Sequence, residues 1–158
     1  MTTGTGRLTD RLGFGDEAGF AGGLEGLVFG LLIFVFGTLL VANVWGVVDS
    51  KLAADAAARE AARTFVEAGN AVVAGPDARQ AADDTLTGYG RTPSRATVAL
   101  VAGDFARCQR ITIEVRYSVP LIGLPFFDRV GSAESVTALH SEVVDPYRSG
   151  LPGTAACA

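Results

Sequence analysis

The sequence predicts an α+β fold: a long N-terminal transmembrane helix that continues into a helix packed on a small antiparallel sheet. Three observations predict it. Residues 27–48 carry no charge and are overwhelmingly apolar, residues 49–74 contain no proline and keep helical spacing, and residues 111–119 alternate apolar with polar side chains.

The membrane segment comes first. Leu27 to Val48 reads LVFGLLIFVFGTLLVANVWGVV, in which Asn43 is the strongest polar group. As a helix it is about 33 Å long at ~1.5 Å per residue, enough to cross a hydrocarbon core of ~30 Å. Its fifteen Leu, Ile, Val and Phe side chains each favour insertion by roughly 0.3–0.6 kcal/mol at the bilayer centre. Trp45 stands near one boundary, where amphipathic rings settle. A cleaved signal peptide needs a shorter apolar core, ~7–15 residues, behind a basic n-region. The leader here, MTTGTGRLTDRLGFGDEAGFAGG, is long and mixed in charge, although the Ala-rich stretch after Leu52 offers a cleavage site. A helix buried on all sides does not suit a domain this small. The chain is thus read as a leader over 1–23, a transmembrane helix over 24–48 and an α+β domain over 49–158. Flanking charge does not orient it: Arg7 and Arg11 precede the segment, and Lys51, Arg59 and Arg63 follow it.

Beyond the membrane, Asp49 to Ala74 extends the helix until Gly75-Pro76 ends it. Lys51, Asp55, Arg59, Arg63 and Glu67 form a polar stripe with i,i+4 pairs such as Lys51–Asp55 and Asp55–Arg59. Ala54, Ala57, Ala58, Ala61, Phe65 and Ala68 share another face, whose small side chains allow close packing on a sheet or a second helix. A short helix follows over Pro76 to Leu86, with Pro76 as its first residue and Thr87-Gly88-Tyr89-Gly90 closing it.

The period then changes. Ile111, Ile113, Val115, Tyr117 and Val119 alternate with Thr112, Glu114, Arg116 and Ser118, which is a half-buried strand. Ala96 to Ala102 is a weaker strand. Glu134 to Val144 is rich in strand formers, but its parity slips between Val136 and Leu139, so a bulge is expected there. Between the last two strands lies Pro120-Leu121-Ile122-Gly123-Leu124-Pro125-Phe126-Phe127. A loop this apolar is buried, touches the bilayer or meets a neighbouring subunit.

Composition narrows function. The 158 residues carry a net charge of −4, against the basic patch that nucleic acid requires. With 49% hydrophobic residues the chain is no disordered tail. His140, the only histidine, sits inside a strand and is read as structural. No Cys/His cluster has metal spacing, no nucleophile or phosphate-binding motif occurs, and Asp83-Asp84 is read as a solvated pair. The chain is expected to be no enzyme and to use no cofactor, metal, small-molecule substrate or nucleic acid. The two cysteines, Cys108 and Cys157, fit a disulfide if the domain lies outside the cytoplasm, or else stay two separate thiols. Glu25 stands two positions before the apolar run. It either reaches headgroups or water or pairs with a cation on a neighbouring subunit. Gly22, Gly26 and Gly30 line one face beside it in the spacing that lets helices approach closely.

The glycine-rich leader, Glu25 before the long apolar helix and the Ala-rich helix carrying Arg59-Glu60-Ala61-Ala62-Arg63 resemble the TadE-like pseudopilins of the tight-adherence (Tad/Flp) pilus machinery. So do Tyr117-Ser118-Val119-Pro120-Leu121 and the stretch from His140 to Gly150. The resemblance runs from about Asp16 onward. It implies a pilin-like protein in the cell membrane, with a cytoplasmic leader and an extracytoplasmic C-terminal domain. It also implies pilin-like or pseudopilin subunits and pilus assembly proteins as partners, and prepilin peptidase as a processing enzyme. In pilin-like proteins the motif glutamate aids subunit incorporation through the processed N-terminal amine, and Glu25 is the matching position. One departure stands out. Cleavage after Gly19 would leave Phe20 first and Glu25 sixth, where the family has its glutamate fifth. The alternative is a signal-anchored extracytoplasmic domain that binds another envelope protein and has no pilus role.

Overall fold

The computed structural model describes residues 17–122, 134–155 and 157, with side chains from residue 25 onward. The leader up to residue 16, and residues 123–133 with most of the apolar sequence from Pro120 to Phe127, lie outside the described residues. The chain divides into two compact units, Met1–Thr38 and Leu39–Ala158. The second unit begins inside the apolar stretch.

The order of elements is that of an α+β protein: helix α1 (Glu17–Glu67), helix α2 (Ala71–Gly88), a single 3₁₀ turn (Pro93–Arg95) and strands β1 (Ala96–Ala102), β2 (Arg110–Val119) and β3 (Glu134–Val143). In the first unit α1 exposes its apolar side chains, among them Leu27, Phe29, Ile33 and Phe34. Over Glu25–Glu67 it is long and apolar enough to cross a membrane.

In the second unit α1 changes character one turn after Val48. Ala53, Ala54, Ala57, Ala58, Ala61 and Ala62 are fully buried, and Phe65 and Ala68 nearly so. Recurrence at three and four residues makes one face of them. The polar stripe lies opposite: Lys51 Nζ meets Asp55 Oδ1 at 2.8 Å and Arg63 Nε meets Glu67 Oε1 at 3.1 Å. Donating this hydrogen bond to the Glu67 carboxylate raises the Arg63 pKa above its ordinary value. Asp55 is taken by Lys51, and the expected Asp55–Arg59 pair does not form.

The helix boundary differs from the expectation. α1 stops at Glu67, not Ala74, and Pro76 lies inside α2 rather than at its first position. Asn70 decides this. In extended conformation, its side-chain oxygen accepts from the N–H groups of Val72 (2.9 Å) and Val73 (3.3 Å) and so caps α2. Pro76 then falls close enough to the N-terminus that its missing N–H and ring affect only the first carbonyls of the helix. The expected closure at the other end is present as a Schellman motif. Gly90 takes φ +69°, its N–H donates to Thr87 O at 2.9 Å, and the Arg91 N–H donates to Leu86 O at 2.8 Å. Ala74, Ala78, Ala82 and Leu86 form the buried row of α2.

The sheet is antiparallel in the order β1-β2-β3. The alternation in β2 is realised: Ile111, Ile113, Val115, Tyr117 and Val119 are buried, and they join the alanine faces of both helices in one core. The bulge expected in β3 is absent. β2 and β3 pair without interruption from Arg110↔Val143 to Val119↔Glu134. Val136 and Ala138 point inward in strict alternation, and Leu139 is an outer-face residue at 60% exposure rather than a sign of slipped parity. The irregularity sits in β1 instead, between Leu100 and Ala102. Directly after it Gly103 turns the chain at φ +82°. A Cβ there would lie 2.2 Å from the carbonyl oxygen of Arg110, so only glycine fits.

Candidate functional site

The surface singled out from the sequence lies in the first unit. Glu25, Gly26 and Gly30 are all exposed on α1. Gly26 and Gly30 are one helical turn apart, and a Cβ built on either would meet nothing within 4 Å. That face is open to a second helix, and two missing side chains let a backbone come close. Gly19, Phe20 and Gly22 belong to the helical backbone of α1 but precede the residues whose side chains are described. The Gly19–Phe20 bond, the candidate processing site, lies in the first turn of the helix.

The second unit carries the other singled-out pair. Cys108 and Cys157 are joined by a disulfide with their Cα atoms 5.0 Å apart. Around it the far end of the domain is tied together by backbone and arginine contacts. The Cys108 N–H donates to Val144 O (3.1 Å) and the Arg107 N–H to Pro152 O (3.0 Å). Arg107 Nε donates to Arg148 O at 2.9 Å. Arg148 in turn donates to Val66 O at 2.7 Å and to Glu67 O at 3.0 Å, the last carbonyls of α1. Its guanidinium also sits 5.7 Å from the Phe105 ring centroid. Phe105 meets Phe65 edge to face at 5.7 Å. Since α1 has no basic residue in its last turn, Arg148 supplies from a distance the cation that a helix C-terminus favours. No local pattern in the sequence marks Arg148 for this, because the pair is formed by residues eighty-one or eighty-two positions apart.

At the opposite end of the domain three polar links gather where the apolar part of α1 ends. Asp49 pairs with Arg91. Lys51 Nζ, already paired with Asp55, also donates to Thr137 O at 2.6 Å. Asn43 holds Ile122, three residues past the end of β2: its Oδ1 accepts from the Ile122 N–H at 2.7 Å, and its Nδ2 donates to Ile122 O at 3.2 Å and to Leu39 O at 2.9 Å. The sequence marks Asn43 as the one strong polar group of its segment, but not its partner.

His140 Nε2 lies 3.1 Å from Glu142 Oε1 on β3, half-buried beside the core. Among the described residues no group of three His, Cys, Asp or Glu side chains converges as metal ligands. A cavity of about 500 Å³ is an open groove lined by the apolar side chains of Phe65, Val98, Leu100 and Ile113 together with Arg79 and Asp83. It brings together no nucleophile and base. Comparison of the chain with protein-family models, with curated proteins and with solved structures finds no match in any of the three.

Proposed function

We propose that this chain is a membrane-anchored pilin-like subunit or assembly factor of a Tad/Flp-type pilus or a related secretion system. It spans the cell membrane once, with the leader in the cytoplasm and the α+β domain outside. One observation carries the reading: a single helix, α1, holds both an exposed apolar stretch of membrane-spanning length and, from Ala53 on, the central face of the domain's core. A subunit built so can pack its apolar half against like helices. The open Gly26/Gly30 face with Glu25 beside it supports a helix–helix contact. The Cys108–Cys157 disulfide supports an extracytoplasmic domain, since such bonds persist in oxidising compartments. The resemblance to TadE-like pseudopilins rests on the residues quoted for it.

The test is pilus assembly in cells carrying Glu25→Ala and Glu25→Gln, with the protein at normal abundance in the membrane. Both variants are expected to lose piliation. Normal piliation would favour the second reading, a signal-anchored domain that binds another envelope protein. That reading is supported by the position of Glu25, sixth rather than fifth after Gly19. N-terminal sequencing separates the two further: Phe20 as first residue supports prepilin peptidase processing, and Met1 or Thr2 supports an uncut anchor.

A further inference from the structure

The link between Asn43 and Ile122 lies at an unusual height. Asn43 is six positions before Asp49, the first charged residue after the apolar stretch. At ~1.5 Å per residue that is about 9 Å toward the bilayer from the Asp49–Arg91 pair. In water the N–H and C=O of Ile122 would need no protein partner. In hydrocarbon each must be paired, or it costs the free energy of an unmade hydrogen bond. Here both are paired by one side chain, and the remaining Asn43 donor contact goes to Leu39 O. The side chains around this polar knot are apolar and face outward: Val41, Val44, Trp45 and Ile122 are all more than half exposed. Charge begins only beyond them, at Asp49–Arg91 and Lys51–Asp55. The compact unit that contains the domain likewise begins at Leu39, inside the apolar stretch.

We infer that the membrane-facing end of the domain is itself immersed in the bilayer: Ile122 and the collar of Val41, Val44 and Trp45 contact lipid at the boundary of headgroups and acyl chains, and Asn43 pairs the backbone that this immersion would otherwise strand. The inference rests on the proposed membrane span and adds that the domain rests in the lipid surface rather than standing clear of it on a stalk. Continuity argues for lipid as the occupant. The collar is the same helix surface that the bilayer covers lower down, interrupted by no charged side chain, and Trp45 carries the amphipathic ring suited to that depth.

The test uses the whole chain reconstituted in phosphatidylcholine vesicles, with bromine at a shallow position of the acyl chain as a depth-dependent quencher. Trp45 is the only tryptophan, so the native protein reports the span, and a Trp45→Phe/Ile122→Trp double variant reports the domain end. The inference expects both proteins to be quenched and blue-shifted relative to tryptophan in water. It further expects that adding Asn43→Leu to the double variant abolishes quenching at 122, as the unpaired backbone lifts toward water. Quenched Trp45 with a red-shifted, unquenched tryptophan at 122 would overturn the inference and leave the span standing. A blue-shifted but unquenched tryptophan at 122 would also overturn it, by showing cover from a second copy of the chain instead of lipid. Unquenched Trp45 would remove the span and the inference with it.

Discussion

Opening the Cys108–Cys157 disulfide perturbs the domain through its unfolded state. The bond closes a loop of 49 residues, and in the chain-entropy model such a closure stabilises by about 4 kcal/mol at room temperature. The folded state changes less. The Arg107 N–H still has Pro152 O as its partner, and Leu151 still packs against the core. Nearly all of the loss should therefore appear as extra freedom of the unfolded chain, and Cys108→Ser and Cys157→Ser should cost the same. For a domain of this size the loss corresponds to a fall in Tm of roughly 10–25 °C. The assay is thermal unfolding of the full chain in detergent, followed by circular dichroism, for the native protein with and without reductant and for each serine variant. Reduction and both substitutions should give coincident curves, well below the oxidised one. A shift of under about 2 °C on reduction would refute the loop-closure argument. Unequal shifts for the two variants would show that the bond acts through the folded structure instead.

Other perturbations follow from single contacts. Arg148→Ala removes two hydrogen bonds to the last carbonyls of α1 and the contact with Phe105; at half-buried, partly screened geometry the loss is about 2 kcal/mol, readable as a lower midpoint in urea. Gly103→Ala should cost more than ~2 kcal/mol, because the left-handed conformation alone costs ~1–2 kcal/mol for an L residue and the new Cβ meets the Arg110 carbonyl. Gly90→Ala, also at positive φ but in open space, should cost only about 1 kcal/mol, and equal losses at the two glycines would contradict the close approach at Gly103. Asn70→Ala should destabilise by about 1 kcal/mol through loss of the α2 cap, while Asn70→Asp or Asn70→Ser should recover most of it in the same denaturation assay.

Much of the fold was legible because it is written in local period. The alternation from Ile111 to Val119 is a property of neighbouring residues, and it appears unchanged as the central strand. The uncharged run from Leu27 to Val48 is equally local. The errors arose where two local signals competed or where the decisive partner was distant. Gly75-Pro76 is the stronger helix breaker by composition, yet Asn70 sets the boundary by capping, and one hydrogen-bonding side chain outweighs the proline once the proline falls near the helix start. Leu139 suggested a slipped register only because an apolar residue was assumed to face inward. On a sheet with one open face it need not. Arg148 and Asn43 were beyond sequence reasoning for a different reason, since each acts on backbone groups far along the chain. The disulfide was readable because only two cysteines exist to be paired. The proposed assembly surface is legible in the sequence only as a spacing of glycines; a Cβ at Gly26 or Gly30 would meet nothing within 4 Å.

Whether the apolar half of α1 is the proposed assembly surface for pilin-like helices is decided by site-specific photocrosslinking in living cells. A photoreactive residue is placed at Gly26 or Gly30, and at Phe34 as a second position on the exposed helix. A covalent product with a pilin-like or pseudopilin subunit is expected from Gly26 and Gly30, lost when Glu25 is replaced by Ala. Crosslinks to lipid alone from the glycine face, in cells that assemble pili normally, would contradict it.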